Sequence, residues 1–438
     1  MQINPAAEFP AIEGRMIKIT AHVLPYRMFV LFSLLICSAG IPAAAQTPPN
    51  PQDSASVNSR AESWKKQRER KAENIRPVQQ SGLERGLIWF ERKGLQSLLA
   101  VNIAGFRPKF GGLPTGSGFG LGSRFRIDKL QGTWTDLQAS ATFSLKGYQQ
   151  YDMQFGKLPD VERGPFAYTN LRYRNFPQED FFGLGPNSRV PDRTDFKMKE
   201  FSYDGVAGMR YRWFRSEVRA GMLQVNLEPG TDVKYPNTQV LFNDVTAPGL
   251  ARQPDFFRVA VTGALDLRDR PDNPHNGTYL GFSLARYDDR DGGLFNFSNY
   301  AADARQYVSL GSPARVIALR FLTSMDDPGR SSRIPFYYQQ TLGGSDTMRG
   351  FREYRFRDRR LLYMSGEYRW EAVTGLEFVF FYDTGKVFSD RSDFDFTGLR
   401  PSYGYGVRIK TPDSVVMRID VGRSREGTRL YFKFGPSF

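Results

Sequence analysis

From about Ser97 to Phe438 the chain falls into runs of strand length in which apolar and polar residues alternate. The last run places Leu430, Phe432, Phe434 and Phe438 on one side and Arg429, Tyr431 and Lys433 on the other. The run before it sets Val415, Met417, Ile419 and Val421 against Arg418 and Asp420. Between Tyr403 and Lys410, Tyr403, Tyr405, Val407 and Ile409 share one face, while Arg408 and Lys410 take the other. A period of two is the mark of strands with two unlike faces. Either a soluble sandwich or a membrane barrel satisfies it, so other features must decide.

Three features favour the membrane. Met28 to Gly40 is a short apolar run preceded by Lys18 and Arg27 and followed by Ala43-Ala44-Ala45. It is too short to span a bilayer as a helix, but it has the length of a signal-peptide core. The expected signal peptide is residues 1–45, and Met16 offers a second start because residues 1–15 fit no part of a signal. The aromatic fraction, 14%, suits interfacial girdles. Finally, Phe432, Phe434 and Phe438 form an amphipathic, aromatic last strand.

Turn chemistry adds orientation. Short turns fall near Gly311-Ser312-Pro313, Val373-Thr374-Gly375 and Thr411-Pro412-Asp413. Long loops fall near Phe176–Phe196, Glu228–Asp255, Asp288–Phe297 and Met325–Arg359. Outer-membrane barrels show this asymmetry, with short periplasmic turns and long extracellular loops. The runs number about sixteen, an even count as such barrels require. The reading is an all-β, closed antiparallel transmembrane barrel over 95–438, with early strands at Ser97–Arg107, Ser117–Ile127 and Trp134–Leu145. Residues 46–94 are polar and charged and read as a periplasmic leader, disordered or loosely helical, with a short helix or plug near Gly82 to Gly94.

Several chemistries are excluded. Cys37, the single cysteine, lies in the expected signal, so thiol catalysis, disulfides and cysteine metal sites are not expected. His22 and His275 have no metal-ligand companions. Neither a metal nor a cofactor is expected. No nucleophile–base pair stands out, and the chain is not read as an enzyme. Gly116, Gly118, Gly120 and Gly122 fall on alternate positions with no helix after them, which predicts a strand with one smooth face and not a dinucleotide loop. The net charge is +14. Three cations and two acids lie in residues 1–45, so about +13 remains. An exported chain offers that charge to anionic lipid and not to nucleic acid.

The richest stretch is Ile334 to Gly385. A glycine-bearing loop with Arg349, Gly350 and Phe351 at its tip precedes two alternating runs. In the first, Leu362, Met364, Tyr368 and Trp370 oppose Tyr363, Glu367 and Arg369. In the second, Leu376, Phe378, Phe380 and Tyr382 oppose Glu377, Phe381 and Asp383. Glu367 and Asp383 therefore face away from the more apolar side, within reach of an arginine on the loop.

This stretch resembles the signature of the bacterial surface-antigen barrels, the BamA/TamA superfamily. Gly343, Gly344, Arg349, Gly350 and Phe351 match the loop motif. Glu367 and Arg369, then Phe381, Asp383 and Gly385, match two strand motifs; Met348 stands where the family usually has valine. The resemblance implies an extracellular loop folded into the lumen and locked by Arg349 on Asp383, with Glu367 nearby. Leu265 to Gly277 resembles the family's periplasmic turn through Asp266, Arg268, Asp269, Asn273, Pro274 and Gly277. Here Asp, Asn, Pro and Gly supply a tight turn, and Arg268 can bond neighbouring carboxylates.

The resemblance implies a Gram-negative outer-membrane protein that assists insertion or translocation of proteins or lipids. Its expected partners are outer-membrane lipid and lipopolysaccharide, with client or periplasmic proteins. The POTRA domains of many relatives have no room between Gln46 and the first strand. Two other functions stay open: a passive or gated pore, with Arg408, Lys410, Arg418 and Lys433 lending an anion preference, and the barrel anchor of a surface or periplasmic complex. The Arg349–Asp383–Glu367 set can be a structural lock alone or can also gate the lumen.

Overall fold

The computed structural model describes residue 65 and residues 105–438, apart from 115, 160–162, 412 and 413. The expected signal peptide and leader, and most of the first expected strand, lie outside the described residues. The chain divides into two units at Gln79/Gln80, and all the strands belong to the second. No helix among the described residues is long and apolar enough to cross a membrane, which says nothing of strands.

The strands are β1 (Phe106–Phe110), β2 (Gly120–Ile127), β3 (Asp136–Ser144), β4 (Gln149–Lys157), β5 (Arg163–Phe181), β6 (Thr194–Tyr211), β7 (Phe214–Pro229), β8 (Phe256–Asp266), β9 (Gly277–Asp289), β10 (Phe297–Ser309), β11 (Arg315–Pro328), β12 (Gln340–Leu342), β13 (Phe356–Asp358), β14 (Arg360–Val373), β15 (Leu376–Phe388), β16 (Arg400–Lys410), β17 (Val415–Ser424) and β18 (Gly427–Phe434). All but β12 and β13 form one sixteen-stranded meander, in which each strand pairs antiparallel with the next. β12 and β13 make a separate two-stranded hairpin inside the long loop between β11 and β14.

The two faces sort as the alternation predicts. Phe378, Phe380 and Tyr382 are exposed on the outer face of β15, while Glu377, Val379, Phe381 and Asp383 are buried on its inner face. An apolar exterior around a charged, buried interior inverts the soluble pattern and is the membrane-barrel arrangement. Under the long loops the interior is filled. Phe181, Phe196 and Phe336 pack there with ring centroids 4.7 and 5.1 Å apart, and Val225, Ala247 and Leu250 complete the cluster.

Two expectations need correction. The long loop after Phe176 is shorter than expected, because β5 runs on to Phe181. Proline lacks an amide donor, and the ladder absorbs Pro177 by a register shift between Phe176 and Glu179. Gly116 and Gly118 are not in a strand: their φ values are 91° and 84°, and β2 begins at Gly120. They serve a left-handed turn that a side chain would strain. Of the first expected strand, Phe106 and Arg107 lie in β1, and residues 97–104 are outside the described residues.

The barrel is nearly closed. Every neighbouring pair in the meander has a backbone ladder, and among the described residues β1 and β18 have none. Side chains make the junction instead. Phe434 lies 5.9 Å from Phe110 and 5.5 Å from Phe119. Among the described residues β1 has five residues and β2 eight, against nineteen in β5. The loop from Gly111 to Gly120 faces Leu430–Phe434 across a small cavity.

Candidate functional site

The loop between β11 and β14 descends into the lumen, and its tip is fixed by Arg349. The guanidinium is almost fully buried. Its Nε and Nη2 donate to the two carboxylate oxygens of Asp383, each at 2.8 Å, and its Nη1 donates to Glu367 at 2.7 Å. The Arg349 backbone amide also donates to Asp383, at 3.1 Å. Below the guanidinium lies the Phe381 ring, 3.5 Å away at its centroid. The planar fork therefore meets one carboxylate side-on and an aromatic face flat, a combination lysine cannot make. The expected contact of Arg349 with Asp383 is present, and Glu367 bonds the same guanidinium.

Gly350 and Phe351 complete the tip. Gly350 has φ 105°, a conformation that favours glycine. Its amide donates to the Tyr431 hydroxyl at 2.9 Å, and its carbonyl accepts from Ser424 Oγ at 2.8 Å. Phe351 is buried among Leu342, Met348, Phe356, Leu361 and Tyr363. Met348 thus occupies the apolar role its position implied. The tip is held by β14 and β15 on one side and by β17 and β18 on the other.

Glu367 also anchors a charged network. Arg408 donates to its Oε1 at 2.8 Å and Arg369 to its Oε2 at 2.9 Å. Arg408 lies 3.5 Å from Glu377, and Lys410 bridges Glu377 and Glu371 at 3.2 and 2.8 Å. Arg418 pairs with Asp420 at 3.0 Å and with Asp346 of the loop at 2.8 Å; Lys433 also reaches Asp346. The four cations read as a candidate anion lining are therefore all committed to acids.

Phe438 departs from its expected side. The alternation sets it on one side with Leu430, Phe432 and Phe434, of which Leu430 and Phe432 are exposed. The strand stops at Phe434, Gly435 has φ 87°, and Pro436 cannot donate to a ladder. The chain turns inward, and Phe438 is buried beside Tyr307, under the Arg369 guanidinium at 5.2 Å. Ser437 joins the lock, donating to Glu367 at 3.2 Å and accepting from Arg408 at 3.0 Å.

The turn after β8 is built as its residues suggest. Arg268 clasps both oxygens of Asp266 at 2.7 Å and donates to the Pro271 carbonyl at 2.9 Å. Asp269 Oδ1 accepts the amides of Arg270, His275 and Asn276 at 2.9, 2.9 and 3.2 Å. Those bonds outweigh partial burial and hold the Asp269 carboxyl below its usual range. A Cβ on Gly277 would meet the Leu267 carbonyl at 2.3 Å, so only glycine lets the chain re-enter the sheet here. Pro274 and His275 are buried, and the Val415 amide donates to the Asp272 carbonyl at 3.4 Å. The turn thus reaches the start of β17.

Sequence reasoning missed Tyr431, Ser365, Ser424, Asp420 and Ser437 as lock partners. For Tyr431 and Asp420 the inward alternation was visible, but no spacing tells which loop atom a distant strand meets. No group of acids, histidines or cysteines among the described residues could hold a metal ion.

The geometry agrees with the comparisons. A family model described as the Omp85 superfamily domain matches residues 119–438. The barrel is similar to the crystal structure of BamA from Haemophilus ducreyi lacking POTRA domains 1–3. The TM-score is 0.57 at 14% identity, with 76% of this chain and 70% of that one covered. It is also similar to CdiB from Escherichia coli, at TM-score 0.47 and 12% identity, over 75% and 62% of the two chains. No curated protein matches the sequence.

Proposed function

The chain belongs to the Omp85 superfamily of outer-membrane β-barrels, and from that premise we propose that it assists insertion or translocation of proteins or lipids at the outer membrane by parting β1 from β18. Members of this family are transporters or insertases and not enzymes. The observation that carries the reading is the seam. Among the described residues it lacks a backbone ladder, where every other neighbouring pair has one. Opening it breaks ring contacts among Phe110, Phe119 and Phe434 and, among the described residues, exposes no new row of unpaired amides. Each unpaired backbone group would cost several kcal/mol in lipid, roughly.

The loop lock supports the same reading. Through Ser424 and Tyr431 it braces β17 and β18, which keeps the last hairpin in place while the other side of the seam moves. The pore reading loses its support in the lumen. Arg408, Lys410, Arg418 and Lys433 are bound to acids, and the loop tip occupies the space between them.

The test is in vivo photocrosslinking from β1, β18 and the lumen, with captured partners identified by mass spectrometry. Nascent outer-membrane proteins or lipids at the seam support the role. A single stoichiometric soluble partner instead means an anchored complex, and no partner together with steady conductance in planar bilayers means a pore. A tether adds a direct control. The Phe110 and Phe434 rings lie 5.9 Å apart across the seam, so Phe110→Cys with Phe434→Cys, joined by a reducible thiol crosslinker, can bridge it. The bridged barrel should be inactive until reduced.

A further inference from the structure

On the outer face of β15, β16 and β17 one row of residues runs across the strands at the long-loop end. Tyr382 pairs with Tyr403, and Tyr403 pairs with Arg423. Both tyrosines are more than half exposed. Tyrosines that ring a barrel mark the boundary between hydrocarbon and water. Arg423, one strand along the same row, therefore lies at the level of the lipid headgroups. The long-loop end is the extracellular end, so these are headgroups of the outer leaflet.

Beside this row a cavity of about 860 Å³ opens at the barrel rim. Its walls come from the β15–β16 loop, the β17–β18 turn, and Pro186 and Asn187 of the β5–β6 loop. Four cations line it, Lys386, Arg400, Arg423 and Arg425, against two acids, Asp393 and Asp395. Two of the cations are already committed. Lys386 pairs with Asp395 at 2.6 Å. Arg400 donates to the Pro186 carbonyl and lies over the Phe356 ring at 4.8 Å. Arg423 and Arg425 are exposed and have no hydrogen-bond or ion-pair partner for their side chains among the described residues. The rim thus holds two uncommitted guanidinium groups over a cavity with a cationic surplus, at the height where lipid phosphates lie.

We propose that this cavity binds the phosphate-bearing headgroup of an anionic glycolipid of the outer leaflet, gripped by Arg423 and Arg425. The guanidinium fork matches phosphate geometry two bonds at a time. Tyr403 lines the same cavity and offers the adjoining sugar or acyl base an aromatic wall. The bound lipid would also steady the lock, since the Arg423 and Ser424 backbone packs against Gly350. The inference rests on the outer-membrane placement alone and not on the seam.

The test uses the full chain in mild detergent, with purified lipopolysaccharide as the probe and native mass spectrometry as the readout. The double variant Arg423→Gln/Arg425→Gln should retain the glycolipid at least about tenfold less well, as expected for losing bonds between charged partners. The control, Arg315→Gln at the short-turn end, should retain it as the unaltered protein does. The unchanged temperature at which the folded band is lost on semi-native gels shows that the double variant still folds. Should it not fold, Arg425→Gln alone, in an exposed turn, carries the test. Three results overturn the proposal: undiminished retention by the variants, equal retention of the dephosphorylated glycolipid, or binding of inorganic phosphate without retention of the glycolipid. The last would make the site one for free phosphate.

Discussion

The Tyr431 hydroxyl accepts the Gly350 amide at 2.9 Å and donates to the Phe351 carbonyl, so one side chain of the last strand holds both peptide groups at the tip of a loop eighty residues earlier in the chain. That strand is also one side of the seam. The loop lock and the seam without a ladder among the described residues therefore share a strand.

Tyr431→Phe removes this clasp and keeps the ring. The Gly350 amide is left buried without its acceptor, at a cost of about 1–3 kcal/mol. The folded band on semi-native gels should be lost at a lower temperature, and protease should reach the loop sooner. An unchanged transition would mean that the tip is held without Tyr431.

Arg349→Ala leaves Asp383 and Glu367 buried with fewer counter-charges and should destabilise the barrel by about 3–5 kcal/mol. A double-mutant cycle with Asp383→Ala should show strong coupling, measured as unfolding midpoints in denaturant. The charge swap, Arg349→Asp with Asp383→Arg, should restore little. Glu367 would then face the new carboxylate, and the Phe381 face would lose its cation. A swap that restores full stability would show Glu367 to be a bystander.

Phe438→Ala tests the inward turn of the last residues. A buried ring is lost from beside Tyr307 and Arg369, which should lower the stability of the purified, folded protein by about 3–5 kcal/mol. A lipid-facing phenylalanine would leave the lumen network untouched and cost less. Hydrogen exchange at the Ser437 and Arg369 amides should rise in the variant if the inward placement holds.

His275 predicts a pH effect at the short-turn end. Burial, with Lys410 and Arg270 nearby, holds the imidazole below its usual value although Asp269 opposes them. The unfolded chain then binds a proton more readily than the folded one. Stability is complete above the unfolded value, about 6.5, and falls as pH drops through it toward the folded value. His275→Gln should remove that slope from unfolding curves taken between pH 5 and 7. The Asp269 carboxyl, held low, contributes above its unfolded value and loses its effect only in more acidic solution, so it leaves this window flat.

The legibility of the sequence varied along the chain for physical reasons. From β14 to β18 the two faces differ so sharply that alternation alone placed Glu367, Asp383, Arg408 and Arg418 inside. The resemblance of the motif at Arg349 implied the lock, while alternation alone placed two inward acids within reach of a loop arginine. The first strands were obscure, because they are short and glycine supplies their turn. Pro177 hid the top of β5, since a proline reads as an end unless a bulge absorbs it. Phe438 misled because the alternation was carried past Gly435 and Pro436, where the ladder had stopped. Which acid each lumen cation meets depends on strands far apart in sequence, and no local pattern records it.

Where the loop tip passes β17, Gly350 and Gly422 stand back to back. A Cβ on Gly422 would lie 2.6 Å from the Gly350 nitrogen, and one on Gly350 would lie 2.9 Å from the Arg423 carbonyl carbon. The inward neighbours of Gly422 on the same strand, Asp420 and Ser424, both carry side chains, and so do Arg349 and Phe351 on the loop. Sliding the tip by one rung in either direction would push an atom into a gap that holds none. The depth of the loop is therefore indexed like a detent, with one seated position and steric stops above and below.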